Sequence, residues 1–241
     1  MTRPDRLGLL GGTFDPIHVG HMAAAEAVCR TLQLDEVWLL TSHVPPHRPQ
    51  PVASVHHRFA MVALAVQEQP AMRASDLELL SPGPSYTSAT LARLRTAGFD
   101  PLQLFFIAGA DAFAEIATWR DYPGFLDAAN FVVVSRGQRP PEPDVLAAPG
   151  VASRLRHAGP GFDATPGDQT QILLIDHSTP DVSSTAIRDR CARGESIAGM
   201  VAPPIERHIV RHALYAGGGP PRRGTSSEHL TASLLHEQEH L

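Results

Sequence analysis

Lysine is absent from this sequence: all 20 of its basic residues are arginine. A Walker A phosphate-binding loop requires a lysine after its second glycine, so that class of nucleotide site is excluded. A kinase of the usual design and a Schiff-base enzyme are excluded as well, because both depend on a lysine. If the protein handles phosphate groups, it must therefore use arginine, histidine, backbone N–H groups or a bound metal ion.

Cysteine, long apolar runs and excess positive charge are also scarce. Cys29 and Cys191 are the only cysteines, too few for a disulfide framework or a cysteine zinc cluster. No apolar run approaches the roughly 20 residues that span a bilayer, and the N-terminal apolar segment is too short for a signal peptide. The net charge of −5 provides no basic surface for nucleic acid. We therefore expect a soluble cytoplasmic protein that binds neither nucleic acid nor membrane, and a homo-oligomer is compatible with the sequence.

Strand and helix patterns alternate along most of the 241 residues. This alternation predicts an α/β fold: a Rossmann-like, doubly wound, mostly parallel sheet with helices on both faces. We predict one domain at 1–215, with an irregular excursion at 139–169 and a flexible tail at 216–241, both rich in small residues and proline. The predicted strands are 6–10, 36–41, 102–109, 131–136 and 171–176, with an extended segment at 72–80. The predicted helices are 19–34, 54–69, 88–97, 110–117, 184–193 and 203–215.

Two histidines stand three residues apart in the stretch GGTFDPIHVGH, residues 11–21. As zinc ligands, His18 and His21 would need partners, and no nearby cysteine or carboxylate cluster supplies them. As core or capping histidines they would be unremarkable. A glycine turn between a strand and a helix N-terminus is a site where phosphate binds, and that reading also fits the missing lysine. We therefore interpret both histidines as phosphate donors.

A second stretch, VSSTAIR at 182–188, starts another predicted helix. Ser183 or Ser184 is expected to be its N-cap, and Gly194 follows its end. Serines in such a stretch are explained by capping alone. Hydroxyl and backbone N–H donors at a helix start, with Arg188 one turn further on, also suit an anionic phosphate.

Together, these two stretches resemble the HxGH and (I/V)SSTxxR boxes of the nucleotidylyltransferase superfamily. Further stretches are similar to the nicotinate-nucleotide adenylyltransferase family: PPHR at 45–48, SYTSATL at 85–91, GADAF with Trp119, VVVSR at 132–136 and HIVRHALY at 208–215. The resemblance extends from residue 7 to residue 215. The family usually has lysine where Arg48 stands, and often has aspartate at Ala89 and tyrosine at His208.

The resemblance implies that ATP and nicotinate mononucleotide are joined to give nicotinate adenine dinucleotide and pyrophosphate, in NAD biosynthesis. Magnesium would enter as the ATP complex, without ligands from the protein. The implied catalytic residues are His18, His21 and Arg188. The implied ATP-binding residues also include Gly11, Gly12, Thr13, Phe14, Gly109, Asp111, Ser184 and Thr185. The implied mononucleotide-binding residues are Arg48, Thr87, Trp119 and Arg136. Asp111 has a second reading as a helix N-cap, and Trp119 as a packing residue.

Other readings of the sequence remain open. Phosphopantetheine adenylyltransferases share both boxes but lack the GAD and tryptophan pattern, and cytidylyltransferases differ in the second box. A nucleotide-binding module without catalysis would not need both histidines and Arg188. HEQEH at 236–240 matches the zinc protease motif H-E-x-x-H, but the chain has no third ligand after it.

Truncation after Ala216 is expected to leave folding and turnover nearly unchanged, because residues 216–241 lack apolar periodicity. Urea unfolding and steady-state turnover of the truncated chain check this expectation. Activity that disappears on truncation and returns with added zinc would instead favour the metalloprotease reading of HEQEH.

Overall fold

Seven strands form one parallel sheet in this computed structural model, which describes residues 3–46, 50–81, 83–135, 142–159, 162 and 168–217. The strand order is β3-β2-β1-β4-β5-β7-β6. The strands are β1 (Leu7–Gly12), β2 (Glu36–Thr41), β3 (Met72–Ser75), β4 (Leu104–Gly109), β5 (Asn130–Ser135), β6 (Leu155–His157) and β7 (Ile172–Asp176). The helices are α1 (Val19–Thr31), α2 (Val55–Val66), α3 (Thr87–Thr96), α4 (Ala110–Phe113), α5 (Pro143–Ala147), α6 (Ser184–Arg193) and α7 (Pro203–Arg211).

Both faces of the sheet are covered by helices, as the continuous apolar run of β4 predicts. Phe105 and Ile107 of β4 belong to one buried cluster, which also contains residues of α1, α2, α6 and α7. Leu104 and Phe106 belong to the other, which includes residues of α3, α4 and α5. Because successive strand residues point to opposite faces, one strand contributes to both cores. The predicted doubly wound α/β fold is confirmed.

The prediction of an irregular excursion at 139–169 is wrong for part of its length. The excursion contains α5, a short 3₁₀ helix at Ala152–Arg154 and the edge strand β6, which pairs with β7. In β6, Arg156 and His157 are exposed and only Leu155 is half-buried. An edge strand of three mostly exposed residues lacks the apolar run that marks a buried strand, so its pattern was missed.

Four predicted helices, those at 19–34, 54–69, 110–117 and 203–215, extend three or four residues beyond the ends of the observed helices. The helix predicted at 110–117 ends at Phe113, and a 3₁₀ turn follows at Ile116–Thr118. The last helix ends at Arg211, because Ala213 and Tyr215 take left-handed backbone conformations with φ of 49° and 62°. Among the described residues, no helix is long and apolar enough to cross a membrane.

The topology determines where a ligand can bind. β1 pairs with β2 on one side and with β4 on the other, so the strand order reverses between β1 and β4. In open parallel sheets, the crevice beyond the carboxyl ends of two such strands is where ligands bind. The loops that follow β1, β2, β4 and β7 all leave this edge of the sheet.

Candidate active site

The turn after β1 is shaped by the packing of Phe14. A Cβ atom on Gly12 would lie 2.7 Å from the Phe14 ring, so only glycine fits there. Phe14 itself has φ of 50° and is 2% exposed. A left-handed conformation of a non-glycine residue costs about 1–3 kcal/mol and persists only where surrounding contacts enforce it. The Phe14 side chain is thus a packing element, and only its backbone is available to a ligand.

His18 and His21 lie together at the start of α1. His18 is the N-cap residue and is 4% exposed. Its backbone N–H donates to Nδ1 of His21 at 3.3 Å, and the two ring centroids are 3.7 Å apart. An imidazole that accepts a hydrogen bond at Nδ1 carries its proton on Nε2 in the neutral form. The proton of a neutral His21 ring therefore lies on Nε2.

The glycine between the histidines lets a distant loop approach them. A Cβ on Gly20 would lie 3.1 Å from the His18 ring and 3.3 Å from the carbonyl oxygen of Pro180. Pro180 belongs to the loop between β7 and α6, which leads into the second motif. The spacing of the HxGH motif thus has a packing reason as well as a chemical one.

The second motif is hydrogen-bonded to the first. Ser184 Oγ donates to the carbonyl oxygen of Pro16 at 2.8 Å, and Arg188 Nη1 donates to that of Asp15 at 2.8 Å. Arg188 Nη2 also donates to Thr185 Oγ1 at 3.2 Å. These bonds join segments about 170 positions apart in the sequence. They hold the Arg188 guanidinium beside the turn at residues 11–18, called the phosphate turn because its sequence predicts phosphate binding.

The prediction of a serine N-cap for α6 is confirmed for Ser183. Its side chain accepts a hydrogen bond from Ala186 N at 3.1 Å. Gly194 ends the helix in the left-handed conformation, with φ of 70°. Because Ser183 caps the helix and the Ser184 hydroxyl is bonded to Pro16, a ligand at this helix start would meet backbone N–H groups, Thr185 and Arg188.

Asp15, which sequence reasoning did not single out, is a buried carboxylate with three donors. Tyr215 Oη donates to its Oδ1 at 2.8 Å, Ala53 N to Oδ1 at 3.1 Å and Val52 N to Oδ2 at 2.8 Å. Burial, together with the Asp15 charge, raises the pKa of Tyr215 far above its usual range. No local pattern indicates a partnership across 200 positions, although the aspartate inside the first motif was the available signal.

Arg58, also missed, is a buried cation that connects the ends of two strands. It is 1% exposed and its Nη1 donates to the carbonyl oxygens of Thr13 at 2.7 Å and Ser42 at 2.8 Å. Its Nη2 donates to that of His43 at 3.1 Å. Burial lowers the pKa of Arg58, whereas the Asp15 charge raises it. An arginine within the apolar pattern of α2 was the sequence signal for this role.

The carboxyl end of β4 provides an open surface beside the phosphate turn. Gly109 is exposed, and a Cβ placed on it would meet nothing within 4 Å. Gly109 is also the N-cap of α4, so the reading of Asp111 as the N-cap is wrong. Asp111 is instead the second residue of the helix, and it is exposed.

Trp119 and Thr87 lie on two segments that are in contact. Trp119 is half-buried, stacked on Phe125 with centroids 6.0 Å apart and planes at 23°. Thr87 is the first residue of α3, and no side chain caps that helix. The residues next to them meet, because the Arg120 guanidinium lies 4.8 Å from the centre of the Tyr86 ring. Trp119, which packs on Phe125, and the N-terminus of α3 therefore lie at the same end of the cleft.

Some predicted residues cannot be placed. Arg48, Arg136 and the HEQEH motif lie outside the described residues. Within the described part of the chain, no group of three or more histidines, cysteines or carboxylates is arranged to hold a metal ion. The zinc reading of His18 and His21 therefore finds no further ligand there.

Gly20→Ala is expected to reduce turnover strongly, because the new methyl group would press on the His18 ring and the Pro180 carbonyl. Gly124→Ala is the matched control, since a Cβ at Gly124 meets nothing within 4 Å. Turnover and melting temperature of both variants are the measurements. Equal activity in the two variants would contradict the packing role of Gly20.

Comparison with known proteins agrees with this geometry. Residues 9–190 match the family model described as cytidylyltransferase-like. A protein of Desulfatibacillum aliphaticivorans named as a probable nicotinate-nucleotide adenylyltransferase is 38% identical over 87% of this chain and 99% of its own length. A protein of Roseiflexus with the same name is 38% identical over 87% of this chain and 97% of its own.

Solved structures share the fold. A Plasmodium falciparum nicotinic acid mononucleotide adenylyltransferase, in complex with NaAD, has a TM-score of 0.67 at 17% sequence identity. The match covers 88% of this chain and 97% of that one. The family model and the curated relatives extend over most of the chain, so this protein belongs to the cytidylyltransferase-like family and, within it, to the nicotinate-nucleotide adenylyltransferases.

Proposed function

We propose that this chain joins ATP to nicotinate mononucleotide, forming nicotinate adenine dinucleotide and pyrophosphate in the cytoplasmic synthesis of NAD. The observation that carries the proposal is that the two motifs are hydrogen-bonded to each other. The Arg188 and Ser184 side chains donate to backbone carbonyls of the turn that leads to His18 and His21. This arrangement brings the N-termini of α1 and α6 and the Arg188 guanidinium to the same edge of the sheet, which supports binding of phosphate groups there.

The reaction is an in-line displacement at phosphorus. An oxygen of the mononucleotide phosphate attacks the α-phosphorus of ATP, forming one P–O bond while the bond to the pyrophosphate leaving group breaks. The attacking phosphate is already ionised at neutral pH, so no general base and no covalent enzyme intermediate are required. The protein's contribution is to align the two substrates and to stabilise the charge that develops on the phosphoryl oxygens.

His21 is proposed as the donor to the α-phosphate. Its Nδ1 accepts from the His18 backbone N–H, so a neutral ring carries its proton on Nε2, the nitrogen proposed to donate to a phosphoryl oxygen. His18 is the more buried of the two and stacks against His21, so it also holds the His21 ring in place. Gly11, Gly12 and Thr13 form the turn that brings the backbone close to the triphosphate. Preorganised donors of this kind need no rearrangement as charge develops.

The start of α6 is proposed to receive the departing β- and γ-phosphates. Ser184 and Thr185 supply backbone N–H donors, Thr185 also supplies its hydroxyl, and Arg188 supplies a fixed positive charge that needs no lysine. Magnesium would arrive bound to ATP and neutralise part of the phosphate charge. At the end of β4, the exposed Gly109 and Asp111 are proposed to contact the ribose hydroxyls of the adenosine.

The mononucleotide is proposed to bind between α3 and the Trp119 loop. The free face of Trp119 would stack on the pyridine ring, and Thr87 with the N–H groups of α3 would face the ring carboxylate. Arg48 and Arg136 are proposed to contact the mononucleotide phosphate, since both flank motifs shared with the family.

His21→Ala is expected to lower kcat by roughly 10²-fold or more, as for removal of one preorganised transition-state donor. His157→Ala is the control, because His157 is exposed on the edge strand β6. Single-turnover kinetics with saturating ATP measure the effect. Near-normal turnover of the His21 variant would refute its role.

The acceptor preference tests the function as a whole. A buried donor that faces an amide NH₂ instead of a carboxylate oxygen is left unpaired, at a cost of about 1–3 kcal/mol for each donor. We therefore expect kcat/KM to favour nicotinate over nicotinamide mononucleotide by roughly ten- to several-hundred-fold. Pyrophosphate release with each acceptor measures this ratio, with and without excess chelator. Equal efficiency would refute the ring recognition, and full activity in chelator would refute the magnesium requirement.

A further inference from the structure

A second buried carboxylate, Glu78, lies beneath the proposed ring-binding end of the cleft. It follows β3 in the chain and is 8% exposed. Asp15 and Glu78 are the buried acidic residues of the described chain. The roles proposed above account for Asp15, which holds the phosphate turn, but leave Glu78 unexplained.

The Glu78 side chain interacts with residues on both sides of the start of α3. Thr90 Oγ1, one turn into the helix, donates to Glu78 Oε1 at 2.8 Å. The Ser85 hydroxyl, just before the helix, is close enough to the carboxylate to lower its pKa. Burial raises the pKa of Glu78, and these two hydroxyls together with Arg93 lower it. The carboxylate therefore sets the position of the backbone that carries Tyr86 and Thr87.

The same segment is attached to the carboxyl end of β2. Ser85 Oγ accepts a hydrogen bond from His43 N at 2.8 Å, and Ser85 N donates to Val44 O at 2.9 Å. The Ser85 oxygen accepts from His43, so its single proton is left to face the nearby Glu78 carboxylate. Arg58 holds the carbonyl of His43 from the other side. This chain of bonds links the ring-binding end of the cleft to the cation beneath the phosphate turn.

Among the described residues, no side chain caps the N-terminus of α3. Tyr86 is its N-cap and provides no side-chain hydrogen bond to the helix. Ala89, in the first turn, has no polar side chain that could cap the helix. The orientation of the first N–H groups of α3 therefore depends on contacts made before the helix, at Ser85, and within it, at Thr90.

We infer that Glu78 is a positioning residue that determines selectivity for the carboxylate ring of the acceptor, by holding the start of α3 through Ser85 and Thr90. This inference rests on the proposed function, in which Thr87 and the α3 N–H groups face the ring substituent. A displacement of the helix start by a fraction of an ångström would weaken donor contacts to that substituent without touching the ATP phosphates.

The test is Glu78→Met, which keeps the length of the side chain and removes both acceptor oxygens. We expect KM for nicotinate mononucleotide to rise about tenfold or more, and its advantage over nicotinamide mononucleotide to fall by a similar factor. KM for ATP should change less than about twofold, because the phosphate turn is held by other residues. Glu68→Met, at an exposed glutamate, is the control and should match the unmodified protein.

Two substitutions at Thr90 test the same inference if Glu78→Met does not fold. Thr90→Val removes the hydroxyl with little change of shape and should reproduce the loss of selectivity. Thr90→Ser keeps the hydroxyl and should therefore keep the selectivity of the unmodified protein. Retained selectivity in Glu78→Met or Thr90→Val, or equal losses for ATP and mononucleotide, would overturn the inference. Absence of pyrophosphate release from the unmodified protein would refute the proposed function itself, which separates the two failures.

Discussion

The buried Asp15 carboxylate is the constraint on which the phosphate half of the cleft depends. Taking an ionised carboxylate out of water is costly unless hydrogen bonds replace its hydration. Tyr215, Val52 and Ala53 supply them, so the segment after α7 and the segment before α2 must both dock before the turn is stable. The backbone of the same residue accepts the bond from Arg188. Through Asp15, the conformation of the phosphate turn therefore depends on contacts from several distant segments of the chain.

Arginine takes the place of lysine in this cleft in two separate ways. The Arg58 guanidinium donates to three backbone carbonyls at the ends of β1 and β2. A lysine ammonium could not bond all three equally well, because it lacks the planar arrangement of donors. Arg188 uses one nitrogen on Asp15 and another on Thr185, so its position is fixed before any phosphate arrives. The absence of lysine therefore excludes the usual phosphate loop but not a preorganised phosphate site.

The sequence predicts the features that depend on local pattern. Strand β2 and helix α6 have the predicted bounds, because an apolar run with turn residues, or a serine cap with a closing glycine, is a local signal. The edge strand β6 and the partners of Asp15 and Glu78 were not predicted. These features depend on contacts between segments that are distant in sequence. In the sequence alone, Thr90 is an ordinary helical residue and Tyr215 is only the last residue of a predicted helix. The burial of a carboxylate cannot be predicted from its local sequence, because it depends on how the segments that cover it pack in three dimensions.

The two buried carboxylates divide the cleft into halves with separate supports. Asp15 holds the turn of His18 and His21 through Tyr215, which follows α7, whereas Glu78 holds the start of α3 through the Thr90 hydroxyl. Arg58 and His43 form the bonded connection between the two supports. Because each half is held by its own buried carboxyl group, substitutions that move α3 are expected to alter acceptor choice while the proposed donors to the α-phosphate stay in place. In the proposed arrangement, a few residues around α3 could change the acceptor without any change in the turn that carries His18 and His21.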